Sequence, residues 1–192
     1  MIESIRIKNL YGLYNYDINR IEDSNVLILT GPNGFGKTTI LQIINHFCNG
    51  KFWYFLFLPF SEILIRFSDQ KIFLISKLPA KIDDDQYLPI MISMLDFDGT
   101  IIESGEFNSS YLDYLYRQAR RYRLIDSSEK IEDLLEETYA YTIDDRVKVT
   151  MPKSVEYLQS IHCSMIEEQR LLARKKMTRD YVTTTRTVED IQ

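Results

Sequence analysis

One glycine-rich segment constrains the fold of this chain more than any other feature. Residues 31–38 fit the pattern G-x-x-x-x-G-K-[ST] in full. A continuous apolar run at 26–30 precedes it, as expected of a strand covered on both faces, and residues 37–47 follow with apolar side chains at helical spacing. The segment therefore lies where a phosphate-binding loop (P-loop, or Walker A motif) must lie, between a buried strand and an amphipathic helix.

The residue types in this loop suit a nucleoside triphosphate with Mg²⁺. Gly34 and Gly36 let the backbone turn so that successive N–H groups point at phosphate oxygens. Lys37 is expected to reach the β- and γ-phosphates, and the Thr38 hydroxyl to ligate Mg²⁺. A glycine turn that only joins strand to helix is the alternative, but it does not explain why motif and flanking elements coincide. The candidate binding residues are Gly31, Pro32, Asn33, Gly34, Phe35, Gly36, Lys37, Thr38 and Thr39.

Antiparallel hairpins are predicted after the loop and its helix. Residues 60–76 split into two alternating runs around 68–70, and residues 89–103 split around Asp98-Gly99. This order speaks against a series of βαβ units. The chain predicts an α/β fold, with a P-loop core sheet and an antiparallel β-subdomain.

The remaining segments predict one strand hairpin, two helices and a short strand. Residues 2–8 alternate as a half-buried strand, and extended chain continues to Ile18 with a turn near Gly12. The predicted helices span 109–124 and 127–141, with Ser127-Ser128 as caps for the second. Pro152 marks a break, and a short strand is expected at 161–166.

Length and composition indicate one domain, or a large part of one, and suit a reducing cytoplasm. The chain has 192 residues, 45% of them hydrophobic and 27% charged, and 2 cysteines, which excludes a disordered chain or a disulfide framework. The beginning of the chain shows no apolar signal core, and the longest apolar run, at 52–60, is too short to span a bilayer. We therefore expect no membrane association.

Charge leaves nucleic-acid binding open. The net charge of −5 does not indicate a nucleic-acid binder. Basic residues nevertheless cluster on one predicted helix and in the final segment, where a solvated face is the ordinary interpretation. The two clusters are Arg117, Arg120, Arg121 and Arg123, and Arg170, Arg174, Lys175, Lys176 and Arg179.

Two segments also resemble a known family. Residues 5–19 (IRIKNLYGLYNYDIN) and 25–45 (NVLILTGPNGFGKTTILQIIN) resemble the amino-terminal lobe of ABC-type ATPases of the SMC, RecF and RecN kind. More narrowly, they are similar to the AAA-labelled ATPases of bacterial anti-phage systems such as the Septu and retron-associated ATPases. The resemblance covers 1–50 well and 60–105 by pattern, and it returns at 161–172.

The resemblance implies an ATP- and Mg²⁺-dependent ATPase head. Residues 1–169 would form its amino-terminal lobe, and 170–192 a basic, polar tail that begins a coiled coil or other insertion. The Walker B strand, signature loop and switch histidine of such heads have no match here, so a carboxy-terminal lobe and a second head would complete the site. Such heads act with a nuclease or other effector, or with DNA or RNA. A chain that binds ATP without hydrolysing it, as an ATP-gated scaffold, is the alternative.

Three further residues have two interpretations each. By the resemblance, Gln169 is the Q-loop glutamine that ligates Mg²⁺ and senses the γ-phosphate; a solvated helix start is the other interpretation. Tyr11 and Tyr14 could offer an aromatic face to adenine, although packing in the core or at a strand edge is favoured.

A phosphatase motif has a simpler explanation. Asp96-x-Asp98-Gly99-Thr100 matches the nucleophile loop of haloacid-dehalogenase-like phosphatases, with Asp144-Asp145 as an imaginable Mg²⁺ pair. That fold needs several βα units after the motif, which the pattern does not supply. A hairpin turn at Asp98-Gly99 is the favoured interpretation.

Overall fold

A six-stranded antiparallel sheet organises the chain. The computed structural model describes residues 1–19, 29, 34–79, 87–122, 130–140 and 142–161. All of them belong to one unit, Met1–His162. The sheet order is β2-β1-β3-β4-β5-β6. The strands are β1 (Ile2–Leu10), β2 (Tyr14–Asn19), β3 (Glu62–Phe67), β4 (Ile72–Lys77), β5 (Ile90–Leu95) and β6 (Ile101–Phe107).

The predicted hairpins are confirmed. Strands β1 and β2 pair antiparallel across the turn that contains Gly12, as do β3 with β4 and β5 with β6. Each connection contains a residue with a left-handed backbone: Gly12 at φ 73°, Gln70 at φ 69° and Gly99 at φ 83°. Strand β1 also pairs with β3, so the amino-terminal hairpin extends the same sheet.

Six helices accompany the sheet in the described residues: α1 (Lys37–Cys48), α2 (Tyr54–Phe57), α3 (Ser109–Tyr122), α4 (Ile131–Thr138), α5 (Asp145–Thr150) and α6 (Pro152–Gln159). Helices α1 and α3 match their predictions to within two residues. Helix α4 is shorter than the predicted 127–141, and the proposed caps Ser127-Ser128 lie outside the described residues.

Helices α5 and α6 were not predicted from the sequence. Pro152 is the first residue of α6, where its missing N–H costs nothing, so it separates two helices rather than ending regular structure. The Met151 side chain provides no cap for α6. Instead Glu103 of β6 accepts hydrogen bonds from the backbone N–H groups of Lys153 (3.0 Å) and Ser154 (2.8 Å). The carboxylate also faces the positive end of the helix dipole, which favours its charge.

The core lies on one face of the sheet and is rich in aromatic rings. Phe47 of α1 packs edge-on against Phe73 of β4, with ring centroids 4.9 Å apart. Tyr157 of α6 meets Phe67 of β3 at 5.3 Å. Helices α1 and α6 thereby cover the same apolar face, where isoleucines of neighbouring strands are fully buried. This packing fixes the position of α1, the helix that begins at the glycine-rich loop.

The mixed α/β class is confirmed, with an antiparallel sheet. The predicted core strand at 26–30, apart from Leu29, lies outside the described residues, as does the strand at 161–166 apart from Ile161. The tail at 170–192 also lies outside them. Among the described residues, no helix combines the length and apolar character that crossing a bilayer requires.

Candidate nucleotide-binding site

The glycine-rich loop ends in a backbone that only glycine adopts easily. Gly34 has φ 86°, and Gly36, the residue that caps α1, has φ 67° and ψ 12°. The Gly36 carbonyl accepts the first helical hydrogen bond, from Ile40 N–H at 2.9 Å. Left-handed residues that alternate with right-handed ones direct successive N–H groups into a concave array, and such arrays bind anions. The predicted roles of both glycines therefore have a conformational basis, while Gly31, Pro32 and Asn33 lie outside the described residues.

The first turn of α1 suits an anionic ligand. It contains no acidic residue, so the partial positive charge of the helix N-terminus is not neutralised there by a side chain of the helix. Lys37 is half-buried and Thr38 exposed at this end. An ammonium group, a hydroxyl and a row of N–H donors are the groups that a polyphosphate with Mg²⁺ requires. The residues present fit that group.

Three tyrosines of the amino-terminal hairpin lie beside this end of α1 and the loop before it. The Tyr16 hydroxyl donates a hydrogen bond of 2.8 Å to the Phe35 carbonyl. The Tyr11 hydroxyl lies 3.3 Å from the Thr39 Oγ1 atom. The ring of Tyr14 lies 6.3 Å from that of Phe35, centroid to centroid. Sequence reasoning gave Tyr11 and Tyr14 either an aromatic face for adenine or packing in the core or at a strand edge. It missed Tyr16, whose signal was the alternation of aromatic residues along β2.

The opposite end of α1 is a buried polar cluster. His46, 6% exposed, faces two acceptors: the Gln42 carbonyl, 2.7 Å from Nδ1, and the Glu136 carboxylate of α4, 3.0 Å from Nε2. Lys51 donates to the same carboxylate at 2.6 Å. The His46 ring also stacks on Tyr54 with centroids 3.9 Å apart. The hydrogen bond from His46, supported by Lys51, lowers the pKa of Glu136 to about 2 despite partial burial.

The phosphatase motif forms a hairpin turn. Asp98 accepts a hydrogen bond of 2.9 Å from Thr100 N–H, which lowers the pKa of its carboxyl. The Asp96 carboxylate accepts hydrogen bonds from Phe97 N–H (2.9 Å) and Lys71 Nζ (3.1 Å). Both carboxylates serve the turn between β5 and β6, so the hairpin interpretation is confirmed.

Asp144 also has a structural role. It is buried and accepts a hydrogen bond of 2.6 Å from the Tyr111 hydroxyl. It also caps α5 by accepting hydrogen bonds from the N–H groups of Arg146 and Val147. Burial raises the pKa of this carboxyl. Within the described part of the chain, no three His, Cys, Asp or Glu side chains are grouped to hold a metal ion.

The other candidate residues divide between helix α3 and the undescribed part of the chain. Arg117, Arg120 and Arg121 are exposed on α3, and the Arg120 guanidinium lies over the Tyr116 ring at 5.4 Å. Gln169, Arg123 and the basic residues of the tail lie outside the described residues.

Comparison with known proteins agrees with the geometry at the start of α1. A family profile described as an AAA ATPase domain matches residues 1–189. No curated protein shows significant similarity to the sequence. Because the profile spans nearly the whole chain and includes the glycine-rich loop, the chain belongs to the AAA ATPase domain family.

Proposed function

We propose that this chain is the amino-terminal lobe of an SMC-like ATPase head that binds ATP and Mg²⁺ at residues 31–39. The observation that carries the proposal is the start of α1, where two left-handed glycines lead directly into Lys37 and Thr38. Family membership supports ATP as the nucleotide. The proposed lobe comprises residues 1–169, including the antiparallel hairpins, and residues 170–192 begin an insertion.

Four residues of the loop have proposed roles. The N–H groups around Gly34 and Gly36 bind phosphate oxygens, Lys37 neutralises the β- and γ-phosphates, and Thr38 ligates Mg²⁺. Gln169 is proposed as a second Mg²⁺ ligand that responds to the γ-phosphate. Bound Mg–ATP would supply the phosphoanhydride bond. The residues of this chain would bind and orient the nucleotide.

Hydrolysis would require parts that this sequence does not contain. No segment matches a Walker B strand or a signature loop. We propose that a carboxy-terminal lobe and a second head complete the site, and that head closure and opening follow the nucleotide state. A nuclease or other effector, in anti-phage defence, would respond to that movement. The exposed arginines of α3 are compatible with DNA or RNA as a further partner.

A non-hydrolysing, ATP-gated scaffold is the second candidate. The missing motifs favour it, because a P-loop binds a nucleotide without positioning the attacking water. Magnesium-dependent turnover, increased by DNA or by a partner protein, would favour the ATPase; tight binding without turnover under all these conditions would favour the scaffold.

Substitution of Lys37 tests the site. Lys37→Ala removes the main cation for the phosphates, so we expect no measurable binding of a fluorescent ATP analogue in the presence of Mg²⁺. Lys8→Ala is the control, since Lys8 is an exposed lysine that pairs with Glu62 on the sheet at 2.7 Å. Affinity of the Lys37 variant equal to that of the wild type would contradict the proposed site.

A further inference from the structure

Strand β2 presents Tyr16 to the glycine-rich loop because of its register. Tyr16 lies opposite Ile7 of β1, and Ile7 is fully buried on the face that packs against the helices. Residues directly opposite each other in an antiparallel pair share a face of the sheet. The pairing therefore places the Tyr16 ring on the side of α1, and its hydroxyl reaches the Phe35 carbonyl at 2.8 Å.

The bond to this carbonyl also fixes an N–H group. A trans peptide unit is planar, and its C=O and N–H bonds point in opposite directions. A hydroxyl that holds the Phe35 carbonyl toward β2 therefore holds the Gly36 N–H away from β2. Gly36 is the cap of α1, at the position where the N–H groups of a P-loop face the phosphates.

Tyr16 is suited to act as the donor in this contact. A tyrosine hydroxyl keeps its proton at neutral pH, and here desolvation by burial, with the nearby Tyr14, raises the pKa of Tyr16 further above its usual value. A carbonyl oxygen can only accept. The direction of the hydrogen bond is therefore determined by the two groups.

Close packing leaves little freedom at this contact. A Cβ atom added to Gly36 would lie 3.1 Å from the Tyr16 hydroxyl oxygen, in addition to the strain at φ 67°. Within the hairpin turn, Tyr11 has φ 54° and its hydroxyl lies 3.3 Å from the Thr39 Oγ1 atom. A tyrosine at positive φ is uncommon and costs energy that the surrounding contacts must offset. The hairpin thus contacts the start of α1 from two positions.

We infer that Tyr16 is a positioning residue for nucleotide binding: through the Phe35 carbonyl, its hydroxyl orients the Gly36 N–H toward the phosphates. The inference rests on the proposed function and adds a residue outside the P-loop motif to that site. Tyr16 itself touches neither phosphate nor metal. Its contribution is to reduce the number of orientations that the Phe35–Gly36 peptide can adopt before the ligand arrives.

The test is Tyr16→Phe in the full 192-residue chain, measured by titration with a fluorescent ATP analogue and Mg²⁺. Loss of one orienting hydrogen bond should raise the Kd by about three- to tenfold. The affinity of the variant for inorganic tripolyphosphate with Mg²⁺, measured by competition, should fall by the same factor. The reason is that the lost hydrogen bond affects the contact with phosphate and not the contact with the base. In nitrogen-15 NMR spectra, ligand binding should shift the Gly36 amide resonance less in the variant than in the wild type.

Tyr157→Phe is the matched control. Tyr157 also donates one hydroxyl hydrogen bond, 2.9 Å to Asp69, but it lies on α6 against the sheet. The Tyr157→Phe variant should lose about as much stability as Tyr16→Phe and should keep the wild-type Kd. Both variants are compared well below their thermal unfolding midpoints, so that folding does not enter the binding measurement.

The outcomes separate this inference from the proposed function. Equal Kd values for Tyr16→Phe and Tyr157→Phe would overturn the positioning role, and so would a loss seen with the ATP analogue but not with tripolyphosphate. Either result leaves the Lys37 site standing. If the wild-type chain binds no better than Lys37→Ala, the nucleotide site fails and the role of Tyr16 fails with it.

Discussion

The two ends of helix α1 differ in almost every physical property. At its start the chain is glycine-rich, Phe35 is 52% exposed, and hydroxyl groups of the first hairpin provide hydrogen bonds. At its end Phe47 is fully buried, and His46 and Lys51 share one carboxylate of α4. The same helix thus has one end that is glycine-rich and exposed and another that is closed by packing.

This difference separates affinity from stability along a single helix. Buried aromatic area at the end of α1 contributes to the free energy of folding and holds the helix against the sheet. The start of α1 contributes less buried area, since Phe35 and Thr38 are exposed there, and its left-handed residues are glycines, which adopt that backbone at little cost. We therefore expect substitutions at the two ends to affect different measurements.

The largest contrast should come from two phenylalanines. Phe47→Ala removes a ring that packs on Phe52, Phe67 and Phe73, and should lower the free energy of unfolding by about 3–5 kcal/mol. Phe35→Ala removes an exposed ring and should change it by less than about 0.5 kcal/mol. Urea unfolding followed by circular dichroism measures both. Equal costs would show that the two ends of α1 do not differ in their contribution to stability.

A smaller effect is expected from the carboxylate that His46 and Lys51 share. Glu136→Gln leaves the nearly buried ammonium of Lys51 without an anionic partner, at a cost of about 1–3 kcal/mol; the 46% exposure of the Glu136 side chain limits the loss. Asp133→Asn, at an exposed position of the same helix, is the control and should be nearly neutral. A neutral result for Glu136→Gln in urea unfolding would mean that solvent replaces the carboxylate.

The smallest effect is a pH dependence of the same contact. The pKa of Glu136 is lowered from 4.5 to about 2 in the folded chain, so its contribution to stability is present above the unfolded value and is lost as pH falls toward 2. The stability difference between wild type and Glu136→Gln should therefore shrink on acidification below pH 4.5. Thermal unfolding midpoints of wild type and Glu136→Gln, measured at several acidic pH values, test this expectation. A difference between the two proteins that stays constant with pH would show that Glu136 does not cause the pH dependence.

Local sequence patterns were sufficient for the hairpins and for the start of α1. Alternating side chains and the turn residues at 68–70 and Asp98-Gly99 act over a few positions, so periodicity alone predicted those strands. Helix α6 was missed because Pro152, which begins the helix, was interpreted as a break, and because the side chain that caps the first turn, Glu103, is about 50 positions away. A cap from another element has no local signal.

The sequence by itself determined the class of fold, the start of α1 and the loop residues expected to bind phosphate. Those features depend on residue type and spacing: glycines for the left-handed backbone, and apolar periodicity for the helix. Only the tertiary structure decided that Tyr16 reaches Phe35, and that Glu136 closes the far end of α1 across 90 residues. These contacts depend on strand register and helix packing, which bring distant residues together and leave no pattern within a short stretch of sequence.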